Sequence, residues 1–466
     1  METTELHFDK GTLILKNAPE QIASSLPGVK WDERISSHRA PAYYYRNIVL
    51  SLRHNKVNYT DHARQFEPTP FPLQNKIIPR PYQQQAIQAW SEAGAFGIVA
   101  LPTGAGKTIL GVLLIEKTQR PTLIHVPTID LMHQWYAVLK QYFDTEIGLL
   151  GGGYHEIEML TVATYDSALL HVPHRGNRFG LIIFDECHHL PGEQYQYTAI
   201  SSLAPFRLGL TATPERNDGR ESLLYQLCGQ LCYQAHIHEL KGETLAPYSV
   251  VTMEVEMGIE EREEYEVARQ CYTDFLRKEQ IDFGHPRGWN NFLWKSSRTP
   301  EGRQAFKAYR MQKQLSQASR AKIEIIWELI QQHQGDRIII FTQDNEMAYR
   351  IGKQFFLPVI THHTKLKERE LFLESFRNGI YSVMITSKVL NEGVDVPEAN
   401  VAIIVSGSGS VREHVQRLGR ILRGRPKKQA YLYELISKST GEYFVNKRRR
   451  QHSAYQNSKN DSYVSS

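Results

Sequence analysis

Gly97-Ile98-Val99-Ala100-Leu101, followed at once by Pro102-Thr103-Gly104-Ala105-Gly106-Lys107-Thr108, decides how this chain is read. A short apolar run feeds a glycine-rich turn, and a helical stretch follows. A nucleotide's phosphates need backbone N–H groups pointing inward, which side chains would block. Gly104 and Gly106 permit that curvature and close approach, with Thr103 and Ala105 between and beside them. Lys107 supplies a point charge for β- and γ-phosphates, and the Thr108 hydroxyl suits Mg²⁺. The general pattern GxxxxGK[ST] asks for Gly where this chain has Leu101, so the match rests on the GxGKT tail and its strand–loop–helix setting.

Working outward, apolar runs at 122–126, 160–164, 181–184 and 207–210 alternate with helical stretches. That alternation indicates a parallel sheet covered by helices. It returns at 337–342, 382–386, 401–405 and 430–435, giving a second α/β domain. From 255 to 322 the strand signal disappears, and the segment is polar and helical in tendency, as if inserted. Glu67-Pro68-Thr69-Pro70-Phe71-Pro72 is stiff and reads as a linker. The residues before it, with Tyr43-Tyr44-Tyr45, read as a small α+β domain. The expected divisions are 1–68, a first α/β domain 69–250, the insert 251–322, and a second α/β domain 323–466 ending in a frayed tail.

The carboxylates come at Leu181-Ile182-Ile183-Phe184-Asp185-Glu186-Cys187-His188-His189. Phosphoryl transfer to water needs one carboxylate on the metal and another to polarise the water. Asp185 is assigned to Mg²⁺ and Glu186 to the water. Alone, such a pair is a common exposed feature; about 80 residues after a phosphate loop it carries information. In the second α/β domain, Gln416-Arg417-Leu418-Gly419-Arg420-Ile421-Leu422-Arg423 puts arginines three apart on one helix face. Arginine reaching a γ-phosphate across a domain cleft stabilises transition-state charge. Without the phosphate loop it would read as a basic solvated helix.

The 466 residues are 41% hydrophobic and 23% charged, ordinary for a soluble globular chain, and the net charge of +5 leans only mildly toward anionic partners. Cys187, Cys228, Cys232 and Cys271 form no CxxC pair. They read as reduced thiols, with Cys228 and Cys232 spaced to share a helix face. The N-terminus is no signal peptide, and no apolar stretch is long enough to span a bilayer. A cytoplasmic protein, on the nucleoid when bound to DNA, is expected.

The set of motifs resembles superfamily 2 helicases. Arg80-Pro81-Tyr82-Gln83 is similar to the adenine-reading Q motif; Lys107, the Asp-Glu-Cys-His box and Thr211-Ala212-Thr213 follow in the family's order. Asn391-Glu392-Gly393-Val394-Asp395 and the arginine helix complete it. The similarity narrows to the short XPB helicases of archaea and bacteria through Arg216-Asn217-Asp218, Ser406–Glu413, the N-terminal segment and Tyr431–Ser437. That resemblance implies two RecA-like parallel-sheet motor domains, a small N-terminal damage-recognition domain and an inserted helical thumb. It implies DNA-dependent ATP hydrolysis and 3′-to-5′ unwinding of duplex, forked or damaged DNA in nucleotide excision repair, beside a partner nuclease. Arg80, Gln83, Gly393 and Asp395 would then serve the nucleotide, Gln416, Arg420 and Arg423 the γ-phosphate, and His188, Thr211 and Thr213 the relay to DNA. One departure stands out: the family's Arg-Glu-Asp is Arg216-Asn217-Asp218 here, which puts unwinding strength in doubt and leaves ATP hydrolysis untouched.

Residues 287–322 hold nine Lys/Arg and one acid, Glu301. Arg303, Lys307 and Arg310 are spaced four and three apart, on one helix face, with Trp289, Phe292, Trp294, Phe306 and Tyr309 interleaved. Basic charge meets phosphates and aromatic faces stack on unpaired bases. By itself this is equally a solvated basic helix whose aromatics pack inward; at the family's thumb position it is a DNA contact. Two other functions remain as alternatives: the motor subunit of a restriction or nuclease system, which needs an acidic metal cluster that the tail after Leu435 lacks, and an RNA helicase.

Overall fold

The computed structural model describes residues 3–212, 219–236, 239–240, 248–285, 287–387, 399–406, 430–443 and 462–465. The chain divides into two compact units, one running to Glu239 and one beginning at Leu240.

The first unit contains two sheets. The N-terminal sheet has five strands in the order Lys30–Asp32, Ser37–Pro41, Thr12–Lys16, Thr4–Asp9, Tyr59–Asp61, antiparallel except for the last pair. Alternation in Thr4–Asp9 and Thr12–Lys16 turns Leu6, Leu13 and Leu15 inward, against Tyr45, Ile48, Val49 and Leu52 of the helix Tyr45–His54. Leu203, from beyond the linker, belongs to the same core. This small domain therefore does not stand apart. Arg46 donates to the Pro205 carbonyl at 3.0 Å, and Asn177 donates to that of Ala63 at 2.9 Å. A Cβ on Gly11 would lie 2.6 Å from the Ser201 Cβ, so the two surfaces meet at backbone distance.

The expected linker is likewise a strap. The Thr69 N–H donates to the Gln119 carbonyl at 2.8 Å, and the Phe71 N–H donates to the Gln119 side chain at 2.8 Å. Phe71 is buried edge-on against Phe143, with ring centroids 6.2 Å apart. Proline stiffness is real here, but apolar burial fixes the segment in place.

The larger sheet runs Leu231–Gln234, Phe96–Ala100, Phe206–Thr211, Leu181–Asp185, Thr122–Val126, Leu160–Thr164, Ile147–Gly151, Tyr154–His155. All neighbours are parallel except the last pair. Its central strands are buried on both faces, which is why they read as unbroken apolar runs. Register places Asp185 beside Leu210 and Thr211 beside Ala100. The C-terminal ends of three strands thus share one edge, where open α/β sheets bind ligands. Arg207, fully buried, gives its guanidinium to the carbonyls of Ala204, Leu227 and Ser202 with no carboxylate in the set. Burial pulls its pKa down to about 10.

In the second unit, seven strands are all parallel, in the order Val359–Ile360, Val383–Thr386, Ile338–Phe341, Val401–Ile404, Ala430–Ser437, Tyr248–Val255, Ser462–Ser465. Three of the expected boundaries move. The first motor domain does not reach 250, because Tyr248–Val255 pairs along its whole length with Ala430–Ser437 and belongs to the second unit. The helical insert is correspondingly shorter than 251–322: Ile259–Lys278, Gly288–Arg298 and Pro300–Gln317. The helix Arg320–Gln332 then buries Ile323, Ile326 and Leu329 in the second unit's core, which therefore resumes before residue 323. Ser462–Ser465 is an edge strand, so the chain's end is not wholly frayed. Cys228 closes the helix Glu221–Cys228 while Cys232 lies on the strand Leu231–Gln234, so the two share no helix face.

Candidate active site

The strand Phe96–Ala100 ends beside Thr211, and the chain turns through residues 101–106 into the helix Lys107–Thr118. Gly104 and Gly106 hold φ of 85° and 75°, where a side chain is strained. Gly106 also has no room: its Cβ would lie 2.9 Å from the Gln83 Nε2. That amide donates to the Gly106 carbonyl at 3.2 Å, while Gln83 Oε1 accepts from the Arg80 N–H at 3.0 Å. Gln83, expected to read adenine, is thus buried and spans from its own helix start to the loop. The Tyr82 hydroxyl donates to the Ala105 carbonyl at 2.7 Å, and Arg80 donates to that hydroxyl at 3.3 Å. Thr103 is buried, and its hydroxyl oxygen has no hydrogen-bond partner among the described residues.

Lys107 Nζ donates to Glu186 Oε1 at 3.1 Å, both side chains being almost enclosed. Asp185 ends the strand Leu181–Asp185 and is buried. Its Oδ2 accepts from the Trp135 indole at 2.8 Å and its Oδ1 from the Glu186 N–H at 2.9 Å. Burial, then the Glu186 charge, pushes the Asp185 carboxyl up to about 6, against the pull of Lys107. Glu186 sits at φ 47°, an uncommon left-handed conformation for a non-glycine residue, and opens the short turn Cys187–His189. His188 Nδ1 lies 3.5 Å from Glu186 Oε2 and 3.2 Å from the Thr211 hydroxyl. A chain of contacts therefore runs Lys107–Glu186–His188–Thr211 along one sheet edge.

Two residues of this site were not expected from sequence. Trp135 reaches Asp185 from the helix Ile129–Tyr142, and its ring packs where a Cβ on Gly111 would lie 2.5 Å away. Tyr165 donates its hydroxyl to the Asp185 carbonyl at 3.1 Å. The one available cue was Gly111 inside an otherwise bulky apolar helix, which marks a close approach. Thr213, Arg216, Asn217, Asp218, Gly393, Asp395, Gln416, Arg420 and Arg423 lie outside the described residues.

In the insert, Arg303, Lys307 and Arg310 are all exposed on the helix Pro300–Gln317. The aromatics divide. Phe292 is fully buried and packs with Tyr272, Phe275, Phe306 and Tyr309 as the insert's own core. Trp294 is exposed, with the Arg298 guanidinium 3.6 Å above its ring. The interleaved pattern is thus partly core and partly surface.

Comparison with known proteins agrees with this architecture. Residues 6–63 match the model of the Xeroderma pigmentosum group B helicase damage recognition domain, 76–216 that of the type III restriction enzyme res subunit, and 303–458 that of the ERCC3/RAD25/XPB C-terminal helicase. The chain is 32% identical over 375 residues to the DNA 3′-5′ helicase XPB of Kineococcus radiotolerans, 78% of this chain and 60% of that one. Its fold is similar to that of S. cerevisiae Dbp5 bound to RNA and ADP BeF3, with a TM-score of 0.56 at 13% identity over 91% of this chain and 94% of the other. At that identity the likeness concerns the RecA-like helicase fold alone. The DNA 3′-5′ translocase XPB2 of Sulfurisphaera tokodaii is 39% identical over 447 residues, 96% of this chain and 99% of the relative. With that relative matched nearly end to end, and both terminal and motor segments matching in order, the chain belongs to the XPB family of superfamily 2 helicases.

Proposed function

We propose that this protein is an ATP-driven DNA motor that moves 3′ to 5′ and opens or remodels duplex, forked or damaged DNA in nucleotide excision repair. The observation that carries this reading is the Lys107–Glu186 contact at the shared strand edge, in a chain matched along nearly its whole length by a DNA 3′-5′ translocase. Lys107 binds the β- and γ-phosphates, Glu186 polarises the attacking water, and the loop N–H groups with Thr103 receive the remaining phosphate oxygens.

The donor set fits Mg²⁺. Among the described residues no cluster of three or more His, Cys, Asp or Glu stands ready to hold a metal alone. Mg²⁺ is usually bound by one or two carboxylates with substrate phosphates, and Asp185 with the Thr108 hydroxyl supplies that protein share. The buried Asp185 carboxyl, held up at about 6, is a group whose charged form a cation would favour. When bound with the nucleotide, Mg²⁺ neutralises charge on the phosphates.

The family resemblance assigns Gln416, Arg420 and Arg423 to the γ-phosphate, Gly393 and Asp395 to the nucleotide, and Arg216 and Asp218 to DNA. His188 and Thr211, joined to Glu186 by the contacts above, carry the state of the phosphate site toward Thr213 and the DNA. Arg303, Lys307 and Arg310 grip DNA phosphates. A partner nuclease rests on the resemblance alone. No helix among the described residues is long and apolar enough to cross a membrane.

The test is ATP turnover by the purified protein with no nucleic acid, single-stranded DNA, duplex DNA, forked DNA and RNA. Stimulation by DNA and not by RNA is expected. Stimulation by RNA alone would turn the reading to the RNA-helicase alternative.

A further inference from the structure

The insert has a core of its own, built on Phe275, Ile281, Phe292 and Ala305. Where it meets the sheet of the second unit, a cavity of about 440 Å³ lies between Tyr265, Tyr309 and Gln317 of the insert and Leu435 of the sheet. Close packing is interrupted there, so discrete hydrogen bonds carry much of the connection. Among them, the Ser437 hydroxyl donates to the Ser316 carbonyl at 2.5 Å, and the Gln317 amide donates to Gln343 Oε1. Ser316 and Gln317 form the last turn of the helix that carries Arg303, Lys307 and Arg310.

The partners of that turn lie at strand ends. Ile338–Phe341, Val401–Ile404 and Ala430–Ser437 are parallel neighbours, so their C-terminal ends share one edge. The Gln343 N–H donates to the Ser406 hydroxyl at 3.0 Å, joining the first end to the second. Lys322 closes the set from the first turn of the helix Arg320–Gln332, which directly follows the insert. Its side chain is fully buried, and Nζ donates to the Val405 carbonyl at 3.0 Å and to Glu442 Oε2 at 2.7 Å. The same Glu442 oxygen accepts from the Ser437 N–H at 3.0 Å. One buried ammonium thus ties the root of the insert to the second and third strand ends.

A buried ion pair is a poor source of stability. Desolvating both charges offsets their attraction, and apolar side chains of like volume often serve as well. The segment that Lys322 holds gives the pair another use. Beyond Val405 and Ser406 the sequence runs on to Gln416, Arg420 and Arg423, which the resemblance assigns to the γ-phosphate. Resting on the reading of this chain as a DNA motor, we infer that Lys322 is a positioning residue that couples the insert's hold on DNA to ATP turnover. DNA phosphates on Arg303, Lys307 and Arg310 draw the helix Pro300–Gln317, and with it Ser316 and Gln317. The Lys322 ammonium keeps Val405, Glu442 and Ser437 in register with that movement, so the strand ends follow the insert. Lys322 itself touches neither nucleotide nor DNA.

The test compares the wild-type full chain with the double variant Lys322→Met/Glu442→Gln. Both charges leave together, and the Gln amide oxygen can still accept from the Ser437 N–H. ATP turnover is measured without DNA and at saturating forked DNA, beside DNA affinity and melting temperature. The double variant is expected to keep the wild-type melting temperature, DNA affinity and turnover without DNA. Its stimulation by DNA should fall by about fivefold or more, the lower end of coupling between two sites, with KM for ATP unchanged. Stimulation equal to wild type would overturn the inference. A matching loss of DNA affinity or of turnover without DNA would overturn it too, by making the pair merely structural. Should the double variant not fold, Ser437→Ala, which removes a single hydroxyl, should show lower stimulation at unchanged affinity, and full stimulation there overturns the inference. No stimulation of wild type by DNA would refute the motor reading, and the inference with it.

Discussion

Lys107 Nζ and Glu186 Oε1 lie 3.1 Å apart, so the cation assigned to the phosphates and the carboxylate assigned to the water neutralise each other. An entering triphosphate brings more negative charge than Glu186 and draws Lys107 to itself. Glu186 is then released to act on water. Lys107→Ala should abolish hydrolysis and weaken ATP binding. Glu186→Gln should bind ATP at least as tightly as wild type, because Lys107 loses its competing partner, yet release almost no phosphate. Equilibrium binding and phosphate release on the two variants check this. Full turnover by either one contradicts the site assignment.

The exposed face of Pro300–Gln317 gives a second outcome. Replacing Arg303, Lys307 and Arg310 with Ala should weaken DNA binding and flatten its salt dependence by about 0.7–0.9 in slope for each lost phosphate contact. Affinity is measured across a salt series. An unaltered slope would mean that this face is merely solvated.

His125 carries a pH dependence of the first unit's stability. It lies in the strand Thr122–Val126, fully buried beside Phe184 and Tyr165. Burial, reinforced by the Arg207 charge, pulls its pKa from 6.5 to about 3. The folded value is depressed, so its contribution is present above about pH 6.5 and is lost as pH falls toward 3. At pH 5 the loss is about 2 kcal/mol from this group alone. His125→Leu should therefore gain on wild type by several degrees in melting temperature between pH 8 and pH 5. A constant difference between the two proteins across that range would show that His125 does not titrate with unfolding.

The parts visible in sequence share a physical cause. Strands such as Thr122–Val126, Leu160–Thr164 and Leu181–Asp185 are buried on both faces and so appear as uninterrupted apolar runs. The strands missed lack that signature. Ile147–Gly151 contains two glycines, Leu231–Gln234 is a half-buried edge, and Tyr248–Val255 mixes Ser, Thr and Glu into its apolar positions. That last omission misplaced the boundary between the units. Lys107, Asp185 and Glu186 were legible because each sits in a short local motif. Trp135 and Tyr165 were not, because they reach Asp185 from 50 and 20 residues away along the chain.

The resemblance to the XPB helicases sets Asn217, outside the described residues, in the place of an acid. The resemblance implies that this position meets DNA phosphate where strands part; an acid there would repel phosphate, whereas a neutral Asn amide would donate to it. Asn217→Glu should raise unwinding per ATP hydrolysed and leave ATP turnover nearly unchanged, since the phosphate site is untouched. A forked-duplex unwinding assay beside ATP turnover at matched salt decides this. Equal coupling ratios would show that the middle carboxylate does not matter in this chain.

We propose directional, ATP-driven movement on DNA. It is tested most directly by displacement of streptavidin from biotinylated single-stranded DNA, with biotin at either end. Movement 3′ to 5′ should clear streptavidin from the 5′ end when wild type hydrolyses ATP, and Glu186→Gln should clear none. Displacement from the 3′ end, displacement without hydrolysis, or none from either end by a protein that does hydrolyse ATP would contradict the account.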